Sequence, residues 1–104
     1  MELFKQTLRS SEILRIGKNL ITETIVESIK NLLKSKTFIK IKILKNALTI
    51  TTKEKIIKEI ILKTNAFLFD IRGNSFIISN KSFPEIKINK KCREIMREIK
   101  NISK

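Results

Sequence analysis

From Phe38 to Leu44 the chain reads Phe38-Ile39-Lys40-Ile41-Lys42-Ile43-Leu44, with isoleucine and lysine alternating. Successive side chains of an extended chain point to opposite faces, so Ile39, Ile41 and Ile43 share one face and Lys40 and Lys42 the other. This predicts a half-buried strand and commits the chain to a sheet with at least one apolar face. Just upstream, Ile25, Val26, Ile29, Leu32 and Leu33 recur at helical spacing, which predicts a one-faced helix over residues 23–35. Thr22 is a good N-cap for that helix, and Ile21 and Val26 occupy the two positions of a hydrophobic staple around it.

The same reading extends along the chain. Leu3, Phe4 and Leu8 suit a short helix over residues 2–9, and Ile13-Leu14-Arg15-Ile16 suits a short strand. Residues 45–52 read as a connection, followed by a helix over 53–63 with Ile56, Ile57, Ile60 and Ile61 facing the core. Residues 66–72 and 75–79 read as strands paired through the Gly73-Asn74 turn. A break from Asn80 to Pro84 precedes Ile88, Cys92, Ile95, Met96, Ile99 and Ile102, which keep helical spacing; Lys90, Lys91, Arg93, Arg97 and Lys100 fall mostly elsewhere on the wheel. The order is α-β-α-β-α-β-β with a terminal helix, a single-domain α/β sandwich around one sheet. We expect a domain over residues 1–84 and a basic amphipathic helix over 85–104. Cys92, and the phenylalanines Phe67, Phe69 and Phe76, are expected in the core.

Between the first strand and the helix at residue 23 lies Gly17-Lys18-Asn19-Leu20. A tight loop there brings a lysine together with free N–H groups at a helix N-terminus, where an anion is favoured. Lysine and arginine total 23 against 10 acidic residues, a formal net charge of +13 over 104 residues. An excess of that size points to a polyanionic partner, nucleic acid foremost. No apolar run approaches the ~20 residues of a membrane span, and the N-terminal residues lack the apolar core of a signal peptide. A single cysteine rules out an internal disulfide, which suits a cytoplasmic protein. Without histidine there is no imidazole base or ligand, one cysteine cannot build a zinc site, and the acids show no paired spacing suited to metal-assisted chemistry. Gly17-Lys18 also lacks the upstream glycine of a P-loop. We therefore expect no catalysis, cofactor, metal, small-molecule substrate or membrane.

Three features in register (Gly17-Lys18-Asn19 with Leu20-Ile21-Thr22-Glu23, the Ile39–Leu44 strand, and the hairpin around Gly73) resemble the CRM domain, named for chloroplast RNA splicing and ribosome maturation, in its stand-alone prokaryotic form. The resemblance spans roughly residues 13–80. It implies the fold of the C-terminal domain of translation initiation factor 3, with a mixed four-stranded sheet in the order 1-2-4-3. It also implies RNA binding, with precursors of the large ribosomal subunit as the partner. The family loop is similar to the GxxG loop of KH domains, which clamps a nucleic-acid backbone. Gly17, Lys18, Asn19 and Leu20 match it, with leucine in place of the second glycine. A glycine allows positive φ and close approach of a phosphate, so Leu20 is expected to restrict both.

The resemblance makes Arg15, Gly17, Lys18, Asn19, Leu20, Lys40, Lys42, Arg72 and Lys81 the candidate RNA contacts, with Arg15, Arg72 and Lys81 expected near the loop. For Lys40 and Lys42 the alternative is that they only solvate a strand face. Two other functions compete with ribosomal RNA binding: an Alba-like chromatin or nucleic-acid-binding protein, and a protein-interaction module that binds no nucleic acid.

Overall fold

The structure is a computed structural model that describes residues 2–102, with side chains over residues 3–101. Helix α1 (Glu2–Arg9) leads into strand β1 (Leu14–Ile16), helix α2 (Glu23–Ser35) and strand β2 (Phe38–Ile43). A single helical turn α3 (Lys45–Leu48) and helix α4 (Lys53–Thr64) follow, then strands β3 (Phe67–Arg72) and β4 (Ser75–Ser79), and helix α5 (Lys90–Ile102). The four strands form one sheet in the order β1-β2-β4-β3, with β1 and β2 parallel and the other neighbours antiparallel. This is the order the family resemblance implies.

Local chemistry explains most boundaries. Thr22 accepts from the Ile25 N–H at 3.2 Å and starts α2; Thr52 accepts from the Lys55 N–H at 3.3 Å and starts α4. Helix α4 ends at Asn65, whose φ of 55° is the left-handed turn that commonly closes a helix. The Asn89 side chain accepts from the Cys92 N–H at 2.9 Å, so α5 begins at Lys90, and Ile88 packs ahead of it on the core. Helix α3 falls within residues 45–52, where the sequence predicts only a connection. One turn carries no repeating stripe, and its anchor is the small, fully buried Ala47.

The sheet divides the interior in two. On one face Ile16, Ile39, Ile41, Ile43, Leu68, Phe76 and Ile78 meet Ile29 and Leu33 of α2, the four isoleucines of α4, and Cys92, Ile95 and Ile99 of α5. Ile102, the last apolar position expected in the tail, has its side chain outside the described residues. On the other face Phe38, Phe69 and Ile77 are covered by Phe4 and Leu8 of α1 and by Phe83 and Ile86. Four phenylalanine rings cluster there with centroids 5.1–6.3 Å apart. Phe67 departs from expectation. It opens edge strand β3 and remains 38% exposed, while Phe69 and Phe76 are buried.

Cys92 is fully buried, and burial raises its thiol from 9.0 to about 11. Because the folded value is the higher one, this group stabilises the fold below its unfolded pKa and ceases to as pH rises through about 11. At pH 8 a thiol reagent should leave Cys92 unlabelled in the folded chain and label it only on unfolding in urea; fast labelling without denaturant would contradict this burial. Ile95→Ala removes a side chain buried to 3% exposure. It should cost about 2–4 kcal/mol in urea titration, with melting lowered by about 10 °C or more.

Candidate nucleic-acid interface

The carboxyl ends of β1 and β2 lie side by side, because Ile16 is in register with Ile43. The 17–20 loop leaves β1 at that end, and α3 leaves β2 beside it: an ideal Cβ on Gly17 would sit 3.8 Å from both Asn46 Oδ1 and Leu44 Cδ1. The β3–β4 turn reaches the same end, where the Ile43 N–H donates to the Asn74 carbonyl at 2.7 Å. Lys53, at the start of α4, donates from Nζ to the Gly73 carbonyl at 2.8 Å and pins the turn. One pole of the molecule thus gathers Lys18, Asn19, Lys45, Lys53 and the Gly73-Asn74 turn.

The loop holds a conformational surprise. The Leu20 N–H donates to the Gly17 carbonyl at 2.9 Å, closing a tight turn, and Leu20 itself has φ 57°. The backbone therefore demands a left-handed residue where the family loop carries its second glycine, and a leucine meets the demand. That conformation costs a side-chain-bearing residue about 1–2 kcal/mol. The half-buried Leu20 side chain packs against the main core, which offsets the cost. Lys18 and Asn19 are exposed at the tip.

Beside the loop, the second face of the sheet is open. Arg15 is in register with Lys42, Lys42 with Ser75, and Ser75 with Arg72. These four residues form one transverse row across all four strands, on the face opposite the main core. Arg15, Lys42 and Arg72 are exposed. Strands lie ~4.8 Å apart, so the two arginines mark ends of a line about 14 Å wide. A β-bulge at Phe69 sets this alignment, because Leu68 pairs with Ile78 while Asp70 pairs with Ile77.

Two of the sequence candidates stand apart from this site. Lys40 shares the face of Lys42, but its Nζ donates to the carbonyls of Leu8 and Ser10, each at 3.1 Å. It ties down the carboxyl end of α1. Lys81 lies just past Ser79, which pairs with Phe38 at the start of β2. It therefore belongs to the opposite end of the sheet from the loop, contrary to expectation. The reading missed Lys45, Lys53 and Ser75. Lys53 did carry a signal, since a lysine in the first helical turn is disfavoured by the helix dipole unless it has another role.

The chain matches the model of the CRS1 / YhbY (CRM) domain over residues 1–78. It belongs to that family. The match takes in α1, upstream of the part in which the resemblance was legible. A hypothetical protein of Staphylococcus aureus, described as a candidate RNA-binding protein, has a solution structure similar to this chain, with a TM-score of 0.62 at 22% identity over 85% of this chain and 92% of that one. This likeness supports a shared CRM fold. No curated protein matches the chain.

The left-handed Leu20 gives opposite expectations for two substitutions. Leu20→Gly loses apolar contact but relieves the backbone, so its stability should stay within about 1 kcal/mol of wild type. Leu20→Ile keeps the apolar volume yet places a β-branched residue at positive φ, and should cost about 1–2 kcal/mol more than glycine does. Urea titrations that rank isoleucine above glycine would refute the strained turn.

Proposed function

We propose that this CRM protein is a non-catalytic RNA-binding protein that docks on structured ribosomal RNA through phosphates and assists assembly of the large subunit in the cytoplasm. The observation that carries the reading is the Arg15–Lys42–Ser75–Arg72 row, its three cations exposed, beside the Lys18-Asn19 loop tip. Phosphate contacts position a protein on nucleic acid, and a line of cations on a rigid sheet holds such contacts at fixed spacing. The net charge of +13 draws a polyanion toward that surface. Among the described residues, no group of histidine, cysteine, aspartate or glutamate side chains could hold a metal ion, and no helix is long and apolar enough to cross a membrane. The ribosomal partner rests on the stand-alone prokaryotic CRM proteins that the loop, strand and hairpin resemble.

Binding to a labelled ribosomal RNA fragment should weaken steeply with salt, with a log–log slope of roughly −3 to −6 for ~4–8 phosphates. Lys18→Ala and Lys42→Ala should each weaken binding and reduce the magnitude of that slope by roughly one. Lys81→Ala, at the far end of the sheet, should change little. Salt-independent binding would exclude a phosphate interface. A preference for duplex DNA would favour the Alba-like alternative, and no binding at moderate salt the protein-interaction module.

A further inference from the structure

Each arginine that ends the basic row has a carboxylate beside it, hydrogen-bonded at Arg15 and ion-paired at Arg72. Glu12 Oε1 lies 3.1 Å from Arg15 Nε, and Asp70 Oδ2 lies 3.0 Å from Arg72 Nε. In each pair the acid is sheltered and the arginine is not: side-chain exposure is 17% for Glu12 against 68% for Arg15, and 16% for Asp70 against 67% for Arg72. A guanidinium has five N–H donors in a planar fork. A contact at Nε engages one and leaves the two terminal nitrogens of an exposed side chain, an edge that can bind a phosphate in bidentate fashion.

Both acids are themselves anchored. Glu12 is kept below the usual carboxylate range by a hydrogen bond from its own backbone and then by Arg15 and Lys42, against the opposing effect of burial. Asp70 follows the bulge at Phe69, which turns it onto the face of Arg72 two residues on. A row built only to attract phosphate would carry no carboxylates. Here an acid stands behind each terminal arginine.

We propose that Glu12 and Asp70 are positioning residues that hold Arg15 and Arg72 as two outward phosphate forks, one at each edge of the sheet. The ligand is an RNA whose fold presents two separate phosphates to arginines rooted about 14 Å apart across the sheet. Lys42 supplies a point charge between them. The inference rests on the RNA-binding reading and deepens it, by selecting structured RNA through the spacing of its phosphates.

The test turns on a sign. Glu12→Ala and Asp70→Ala each remove a negative charge from the interface, so charge alone predicts tighter binding. Positioning predicts the reverse: about 5-fold weaker binding to a folded ribosomal RNA fragment at fixed salt. Glu12→Gln and Asp70→Asn keep an oxygen able to accept from Nε, and should recover part of the loss. In an Arg15→Lys background the fork is gone, and Glu12→Ala should then weaken binding no further. If either alanine variant folds poorly by circular dichroism, the amide variants carry the same comparison, with about 2-fold weaker binding expected. Wild-type protein that fails to bind the RNA would overturn the function itself. Wild-type binding with equal or tighter binding by the alanine and amide variants would overturn the positioning role alone, leaving Glu12 and Asp70 as counterions that phosphate displaces.

Discussion

Strand β2 is hydrogen-bonded on both sides, to β1 and to β4, and its two faces carry incompatible chemistry. Ile39, Ile41 and Ile43 are buried in the main core, while Lys40 and Lys42 stand on the other face. A slip of one residue would drive two ammonium groups among the isoleucines of α4 and expel three isoleucines to the opposite side. Fully burying one such side chain is worth about 1.5–3 kcal/mol, so the slipped register loses on both counts. That discrimination fixes Arg15 and Ser75 beside Lys42, because a register set at one position of a rigid ladder holds at all of them. The basic row is in this sense a consequence of how the core is packed.

The two lysines of β2 then meet different fates on one face. Helix α1 and the segment carrying Phe83 and Ile86 bring apolar groups over Phe38, Phe69 and Ile77, and this cover reaches Lys40. The ammonium group of Lys40 serves the unpaired carbonyls at the end of α1, which a helix terminus always presents. Lys42, one pleat further on, lies beyond the cover and remains exposed. Phenylalanine at residues 4, 38, 69 and 83 thus draws the boundary of the open surface. The aromatic cluster closes one half of the face and leaves the other half to the cations.

Elements defined by local pattern were legible in the chain: the Ile-Lys alternation of β2, the Thr22 cap and stripe of α2, the isoleucine face of α4, and the Gly73 turn. The tail helix was also legible, although its capping residue Asn89 places its start after Ile88. Features that depend on distant partners were not. Lys40 looks like Lys42 in sequence, and only the return of α1 separates them. Lys81 follows a hairpin whose turn lies at the loop pole, but β4 carries the chain back across the sheet before Lys81 is reached. Phe67 and Phe69 alternate as two inward residues would, yet a bulge and an edge position leave the first exposed. Leu20 gave no sign of its left-handed backbone except through the family loop, since a leucine is a poor marker of positive φ.

Charge alone locates the site poorly, for a physical reason. The chain is strongly basic overall, yet the open row sets two carboxylates, Glu12 and Asp70, among its three cations. Long-range attraction depends on the summed field and is screened over about 8–10 Å of salt solution. It brings a polyanion to the surface without choosing where it settles. Settling depends on donors held at fixed spacing, and a guanidinium free to rotate must give up that freedom on binding. A carboxylate behind each arginine gives up some electrostatic attraction in exchange for order before the ligand arrives. On the proposed RNA-binding function, that loss is small in a chain of net charge +13, and the geometry of the row would be what discriminates one folded RNA from another.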